Sequence, residues 1–166
     1  MNLFISTGVV SAALGCAVVG GIFFAFSNFI MKALARLPAA EGIVAMQSIN
    51  VVVLNKWFLG VFTGTALVSL LLAGYAITNW STPSAPWLLG GSVAYVVGSW
   101  LLTIAGNVPL NKQLAETSPL DAGSAETWQH YLDRWTTLNS QRALGSVVAA
   151  VLFIIGLMRG LETSVS

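Results

Sequence analysis

The stretch Phe4–Ile30, FISTGVVSAALGCAVVGGIFFAFSNFI, has no charged side chain, and the first charged side chain in the protein is Lys32. A helix needs about 20 mostly apolar residues to cross the hydrocarbon core of a bilayer, so this stretch is long enough to span it with a tilt. Of the 166 residues, 56% are hydrophobic and 8% are charged, and the mean hydropathy is +0.81. Soluble domains carry about a quarter charged residues. The sequence therefore predicts an integral membrane protein that forms a single domain over residues 1–166.

Three further apolar stretches predict three further spans. No charged residue occurs between Lys56 and Lys112, and the turn formers TNWSTPSAP at 78–86 divide this interval in two. A last apolar stretch is closed by Arg159, whose long side chain can reach the membrane interface. We therefore expect an all-α fold, an integral membrane four-helix bundle. The predicted spans lie at about 4–30, 58–77, 87–105 and 143–158.

The basic residues predict an orientation. Six of the seven lie in, or next to, the connections between spans one and two and between spans three and four. The positive-inside rule places these two longer connections in the cytoplasm and both termini outside, in a multi-pass protein of the cell membrane. Seven basic and six acidic residues give a net charge of +1, which provides no basis for binding nucleic acid. The bilayer is the expected partner, and the sequence leaves open whether the protein is a homo-oligomer.

Both connections carry helical patterns that lead towards the next span. Ala39–Asn55 follows Pro38 and is expected to continue without a break into the second span. Ser124–Arg142 follows the turn-rich Thr117–Gly123 and leads into the fourth span. Each half of the chain is thus predicted to be a span, a turn and a long helix with an amphipathic extension on the cytoplasmic side. Either an ancient parallel repeat or chance similarity accounts for this likeness, and a repeat would place a pocket between the halves.

The extension Ser124–Arg142 has two different faces, because residues three or four apart lie on the same side of a helix. One face is aromatic and ends in an amide and a guanidinium at the membrane boundary. The other is typical of a solvated surface and includes the only histidine, which we interpret as a surface residue. The first face consists of Trp128, Tyr131, Trp135, Asn139 and Arg142, and the second of Glu126, His130, Asp133, Thr137 and Gln141.

Arg142 is the strongest candidate for chemistry, because a charged side chain near the centre of a membrane helix costs about 2.5–3.5 kcal/mol. It either reaches lipid phosphates or forms an anion clamp above a cavity, with Trp135 as a stacking surface. Pro109 is expected to end or kink the third span. The nearby amides therefore either bind substrate or satisfy broken helix ends. The candidate amides are Gln47, Asn50, Asn55, Asn107, Asn111 and Asn139.

The content of metal-binding residues is low. Cys16 is the only cysteine and His130 the only histidine, so one chain can supply neither a tetrahedral zinc site nor a bis-histidine haem site. No Glu-x-x-His pair, glycine-rich dinucleotide loop or Ser–His pair is evident. We therefore expect no metal site and no cofactor, although a site shared between subunits stays open.

Four stretches resemble the anthrone oxygenase-like family of small four-helix membrane proteins, long catalogued as a domain of unknown function. The resemblance extends over nearly the whole chain. Some members of that family oxidise anthrones to anthraquinones with molecular oxygen in aromatic polyketide pathways. The resemblance thus implies a membrane-bound oxygenase with a small lipophilic aromatic substrate. The stretches are Gly20–Leu34 (GGIFFAFSNFIMKAL), Ala45–Asn55 (AMQSINVVVLN) and, most specific, Asn107–Asn111 (NVPLN) and Tyr131–Arg142 (YLDRWTTLNSQR).

This chemistry assigns roles to the candidate residues. An anthrone has an acidic CH₂ opposite its ketone, and its anion can pass an electron directly to oxygen. The protein then needs an apolar slot and donors for the oxyanion, whereas no general base is evident apart from Tyr131. The expected catalytic residues are Arg142, Asn139 and Asn107, and the expected substrate-binding residues are Trp135, Trp128, Tyr131, Asn111, Gln47, Asn50, Asn55 and Phe58.

Two other classes of function fit parts of the pattern. Aromatic and amide side chains without a base are equally typical of a non-catalytic protein that binds a quinone, haem or lipid, or that scaffolds a complex. A small multidrug-type transporter ranks last, because such proteins generally use a membrane-embedded carboxylate and none of the four predicted spans contains an acidic residue.

Overall fold

The computed structural model describes residues 1–162, and this part of the chain contains five helices and no strand. Four of the helices are long and apolar enough to cross a membrane, which confirms the predicted all-α architecture with four long apolar helices. All four extend beyond the predicted spans. The helices are α1 (Leu3–Leu34), α2 (Ala39–Val52), α3 (Lys56–Thr78), α4 (Ala85–Glu116) and α5 (Ser124–Glu162).

The connection before α3 differs from the prediction. The expected unbroken run from Ala39–Asn55 into the second span is wrong, because α2 ends at Val52 and α3 begins at Lys56. Asn55 has an extended backbone, and its side-chain oxygen accepts hydrogen bonds from the backbone N–H groups of Trp57 and Phe58 at 3.0 and 3.1 Å. Asparagine is among the strongest N-capping residues, so it starts a new helix here. By contrast, α5 continues without a break from its extension into the fourth span, as predicted.

The third span does not end at Pro109, so of the two expected alternatives, a helix end or a kink, the helix end is wrong. The helix α4 widens into π-helical turns at Val96–Leu101 and Thr103–Asn107 and then resumes as an α-helix at Val108–Glu116. Pro109 thus lies in the first turn of the resumed α-helix, where its missing N–H is not needed. Such π turns are frequent at functional sites.

The bundle is built around α5, which packs most extensively on α1 and on the first part of α4. Close approach of α4 and α5 depends on glycine, because a Cβ atom at Gly145 would lie 2.8 Å from the carbonyl oxygen of Gly98. Small and aromatic side chains fill the core on this side, including the fully buried Tyr95 and Phe153.

A second apolar cluster lies at the other end of the bundle, where α2 covers the aromatic face of the α5 extension. Gly42 of α2 lies against the indole of Trp128, since a Cβ atom there would be 2.7 Å from the ring. The cluster also contains Ile43 and Met46 of α2, Met31 of α1 and Leu114 of α4. The buried polar residues Asn139 and Arg142 lie along α5 between the parts of the helix that belong to the two clusters.

Candidate functional site

Arg142 is buried in the protein and held there by neutral side chains. It is 4% exposed. Its Nη1 donates to Oγ1 of Thr103 at 3.0 Å, and its Nη2 donates to Oδ1 of Asn139 at 2.6 Å. Within residues 1–162, the only ion pair is the exposed contact between Arg159 and Glu162. No acidic side chain in the described protein therefore neutralises Arg142.

Aromatic rings take the place of a carboxylate beside this guanidinium. The Cζ atom of Arg142 lies 4.1 Å from the ring centroid of Phe23 and 5.3 Å from that of Trp135. Both distances are within the range of a cation–π interaction, which stabilises a cation without cancelling its charge. The Nε atom is buried and has no hydrogen-bond partner among the described residues. The guanidinium thus keeps its charge and at least one unused donor.

A cavity of about 290 Å³ lies beside Arg142 and receives side chains from all five helices. Its walls are almost entirely apolar and include Trp135, Phe23 and Trp100. The volume is near the lower end of the range of roughly 300–1,000 Å³ that is typical of small-molecule sites. A concave surface of about 650 Å³ between α1 and α5 is larger, but none of its polar lining residues is buried. The convergence of a buried charge and a cavity therefore favours the Arg142 cavity as the functional site.

The cavity reaches the surface between the start of α3 and the π-helical part of α4. Three of its lining residues, Leu54, Leu59 and Ile104, are 66%, 39% and 49% exposed. The mouth is therefore bordered by aliphatic side chains.

A chain of hydrogen bonds borders the cavity on the side of α2. Nε1 of Trp135 and the hydroxyl of Tyr131 both donate to Oδ1 of Asn111, each at 2.8 Å. The Tyr131 hydroxyl in turn accepts from Nδ2 of Asn50 at 3.3 Å. Asn111, Asn50 and Trp135 line the cavity, whereas Tyr131 lies behind them. The hydroxyl proposed from the sequence as a fallback base therefore directs its proton towards Asn111.

The comparison with known protein families gives one result. A sequence model of the family described as anthrone oxygenase matches residues 54–152 of the 166. The chain belongs to the anthrone oxygenase family. This confirms the family noted in the sequence, over a shorter part of the chain than the resemblance suggested. No curated protein and no solved structure matches the chain. The matched segment of this family member contains Thr103, Trp135 and Arg142, whereas Phe23 and α2 lie outside it.

Five of the site residues expected from the sequence line the cavity of this anthrone oxygenase family member. They are Arg142, Trp135, Asn111, Asn50 and Phe58.

Both expected catalytic amides lie behind the cavity wall. Asn139 donates through Nδ2 to the Phe23 carbonyl at 2.6 Å and to the Ser27 hydroxyl at 2.7 Å. Since its oxygen accepts from Arg142, Asn139 positions the guanidinium and has no donor left for an oxyanion. Asn107 donates to the carbonyl of Trp135 at 3.2 Å, and its buried oxygen has no partner among the described residues. Asn107 thus supports the backbone of α5.

Besides Tyr131, three expected substrate-binding residues lie outside the cavity lining and have other contacts. Gln47 ties α2 to the end of α4, because its amide donates to the carbonyls of Leu114 and Thr117 at 2.8 and 3.0 Å. Asn55 caps α3. Trp128 stacks on Tyr131, with ring centroids 5.8 Å apart, and supports α2.

Sequence reasoning missed the residues that hold Arg142 from other helices. Thr103 lies one turn before Asn107 in a span whose register the π turns alter, so helical periodicity could not place it. Phe23 belongs to one of the stretches that resemble the family, which was the available signal. Among the described residues, no three His, Cys, Asp or Glu side chains come together as a set that could hold a metal ion.

Proposed function

We propose that this protein is a membrane-bound oxygenase that oxidises an anthrone-like aromatic compound to a quinone with molecular oxygen in the Arg142 cavity. The observation that carries the proposal is a buried arginine without an acidic partner in the described chain, which lines an apolar, aromatic cavity. Such a site suits a flat, lipophilic anion, and the enolate of an anthrone is one. Membership of the anthrone oxygenase family supports the same reaction class.

Arg142 stabilises the charge that the reaction develops. The ketone oxygen of the substrate faces the guanidinium, and the fused rings lie against Trp135 and the phenylalanine side chains. Loss of a CH₂ proton places a negative charge on this oxygen. A fixed cation in a water-poor site lowers the pKa of the bound substrate, because it favours the charged form. The cavity lining supplies no carboxylate or histidine as a base, so the proton leaves to water at the mouth.

The enolate then reacts with oxygen without further protein groups. It transfers an electron to O₂, and the resulting radicals combine to form a C–O bond at the former CH₂ carbon. A proton from water gives the hydroperoxide. Loss of the remaining C–H proton and cleavage of the O–O bond release water and leave the second carbonyl. The balance is one anthrone and one O₂ to one anthraquinone and one water.

Oxygen uptake by the detergent-purified protein tests this function. With anthrone as substrate, we expect one O₂ to be consumed for each quinone formed, at a rate well above the spontaneous reaction. With ¹⁸O₂, one labelled atom should enter the quinone and the other should enter water. Uptake at the spontaneous rate would overturn the proposal.

A second candidate is a non-catalytic protein that binds a quinone, haem or lipid in the same cavity. The lack of a base in the lining favours it. Stoichiometric binding of anthraquinone without oxygen uptake from anthrone would distinguish this function from the oxygenase.

We also propose that α1, α3, α4 and α5 cross the cell membrane with the α1–α3 and α4–α5 connections in the cytoplasm. The basic residues support this orientation through the positive-inside rule. Exposed Lys56 and Trp57 at the start of α3 are in cation–π contact at 5.3 Å, as suits a membrane interface. The cavity mouth then lies close to the cytoplasmic surface of the bilayer.

Asn139→Ala should nearly abolish the oxidation of anthrone. The variant removes the acceptor of Nη2 and the link to Phe23 and Ser27, so the guanidinium loses its position. A displacement of about 1 Å can cost roughly 10²-fold in rate, and we expect a loss of that order in kcat/KM. Gln141→Ala, an exposed neighbour on the same helix, is the control and should keep full activity. Full turnover by Asn139→Ala, with the fold intact by thermal unfolding, would contradict the positioning role.

A further inference from the structure

We propose that Asn111 and Asn50 recognise a hydroxyl group on an outer ring of the substrate, at the end of the cavity away from Arg142. The inference rests on the proposed function for its substrate class and adds two specificity-determining residues. The indole of Trp135 lies between the two polar parts of the cavity, which are Arg142 and the pair formed by Asn111 and Asn50. Its ring centroid lies 5.3 Å from Cζ of Arg142, and its Nε1 donates to Asn111. Tyr131 stacks on this indole with ring centroids 6.0 Å apart, so a flat ligand in the cavity lies beside the indole and contacts both polar groups.

The orientation of the Asn111 amide is fixed by chemistry. An indole N–H can only donate, so the atom that accepts from Trp135 must be the amide oxygen. Tyr131 donates to the same oxygen. The Nδ2 group of Asn111 makes no hydrogen bond within the described residues, and Asn111 lines the cavity. Asn111 therefore offers two N–H donors to a ligand.

The orientation of Asn50 follows from the same chain. The proton of the Tyr131 hydroxyl is committed to Asn111, so this hydroxyl accepts from Nδ2 of Asn50. The Oδ1 atom of Asn50 has no hydrogen-bond partner within the described residues, and Asn50 also lines the cavity. The wall thus presents a donor from α4 and an acceptor from α2, both linked to one tyrosine.

This donor–acceptor pair matches a hydroxyl group better than other ring substituents. A phenolic hydroxyl accepts from Asn111 and donates to Asn50, a methoxy group only accepts, and a ring hydrogen does neither. A ligand without the hydroxyl leaves both amides without partners inside the cavity. Sites built to hydrogen-bond a hydroxyl discriminate strongly against analogues that lack it, for this reason.

Equilibrium binding of quinone products tests the inference without turnover. The probes are anthraquinone, 2-hydroxyanthraquinone and 2-methoxyanthraquinone, titrated at mildly acidic pH into the purified full-length protein with tryptophan fluorescence as readout. Each hydrogen bond contributes about three- to tenfold in affinity. We therefore expect the hydroxy compound to bind about tenfold or more tighter than anthraquinone, with the methoxy compound between them. Equal affinities for all three would overturn the proposal.

Two variants separate the contributions of the amides. In Asn50→Leu the acceptor is lost while the bond from Tyr131 to Asn111 remains, so the hydroxy compound should bind no tighter than the methoxy compound. Asn111→Asp is isosteric and keeps the oxygen that Trp135 and Tyr131 need. It removes the free donor, so the methoxy compound should bind no tighter than anthraquinone. Wild-type ratios in both variants would overturn the assignment.

The control variant is Gln47→Leu, which removes a neighbouring amide of α2 that bonds to α4 and does not line the cavity. Its affinity ratios should equal those of the wild type. A hydroxyl preference without oxygen uptake from anthrone would support this inference and reject the proposed oxygenase. Oxidation of anthrone without any hydroxyl preference would support the proposed oxygenase and reject this inference.

Discussion

Replacing Arg142 with glutamine is expected to lower kcat/KM for anthrone oxidation by about 10²–10³-fold, the usual effect of removing one donor to a developing oxyanion. Glutamine keeps a polar side chain in the buried position but removes the charge. Without the cation the bound substrate ionises less readily, so its pKa rises. The rising limb of the pH–rate profile should therefore move to higher pH in the variant. Oxygen uptake measured across a pH series provides both kcat/KM and the pH at which the rate rises.

Arg159→Gln is the matched control, because it removes an arginine from the same helix at an exposed position. Its rate and pH profile should equal those of the wild type. Arg142→Lys should recover only part of the activity, because lysine keeps the charge and loses the planar donors that Thr103 and Asn139 hold. A wild-type rate in Arg142→Gln would show that the active site is not in this cavity.

Replacing Gly145 with alanine is expected to cause the largest loss of stability among single-methyl changes to the bundle. The added Cβ would lie 2.8 Å from the Gly98 carbonyl oxygen and 3.2 Å from that of Ala94, and backbone atoms cannot rotate away. Separating α4 from α5 should cost about 1–3 kcal/mol in the free energy of unfolding. It should also reduce activity, because Thr103 on α4 would move away from Arg142 on α5.

Gly64→Ala provides the comparison for this variant. A Cβ atom at Gly64 has no heavy atom within 4 Å outside its own helix turn, so the substitution should be neutral or stabilising by up to about 1 kcal/mol. Thermal unfolding of both variants in the same detergent measures the difference. If the two midpoints shifted equally, close contact of α4 and α5 would not be a determinant of stability.

Helical periodicity in the sequence was sufficient to predict which face of a single helix, α5, is buried. The face of α5 that carries Trp128, Tyr131 and Arg142 is buried, and the face that carries His130 and Asp133 is exposed, as the spacing predicted. A side chain three or four residues from a buried one shares its side of the helix regardless of the partners. The position of Arg142 beside a cavity was one of the two alternatives that the sequence left open, the other being contact with lipid phosphates.

Prediction failed where two opposing local signals had to be weighed. Asn55 is a strong capping residue, yet the apolar run around it suggested continuity. The cap prevailed, and its side-chain oxygen accepts from two N–H groups in the first turn of α3. Pro109 suggested a helix end or a kink, yet α4 continues past it, because Pro109 lies in the first turn of the resumed α-helix, where its N–H is not needed.

The amino-acid sequence by itself determined that the protein has four long apolar helices, that it belongs to the anthrone oxygenase family, and which face of α5 is buried. Composition and residue spacing are properties of the sequence itself, so they can be determined without a structure. Only the tertiary structure decided which amides reach the cavity. Asn111 and Asn50 line it, whereas Asn139 and Asn107 support it from behind. The physical reason is that each amide's free donors depend on the partners that other helices bring to it.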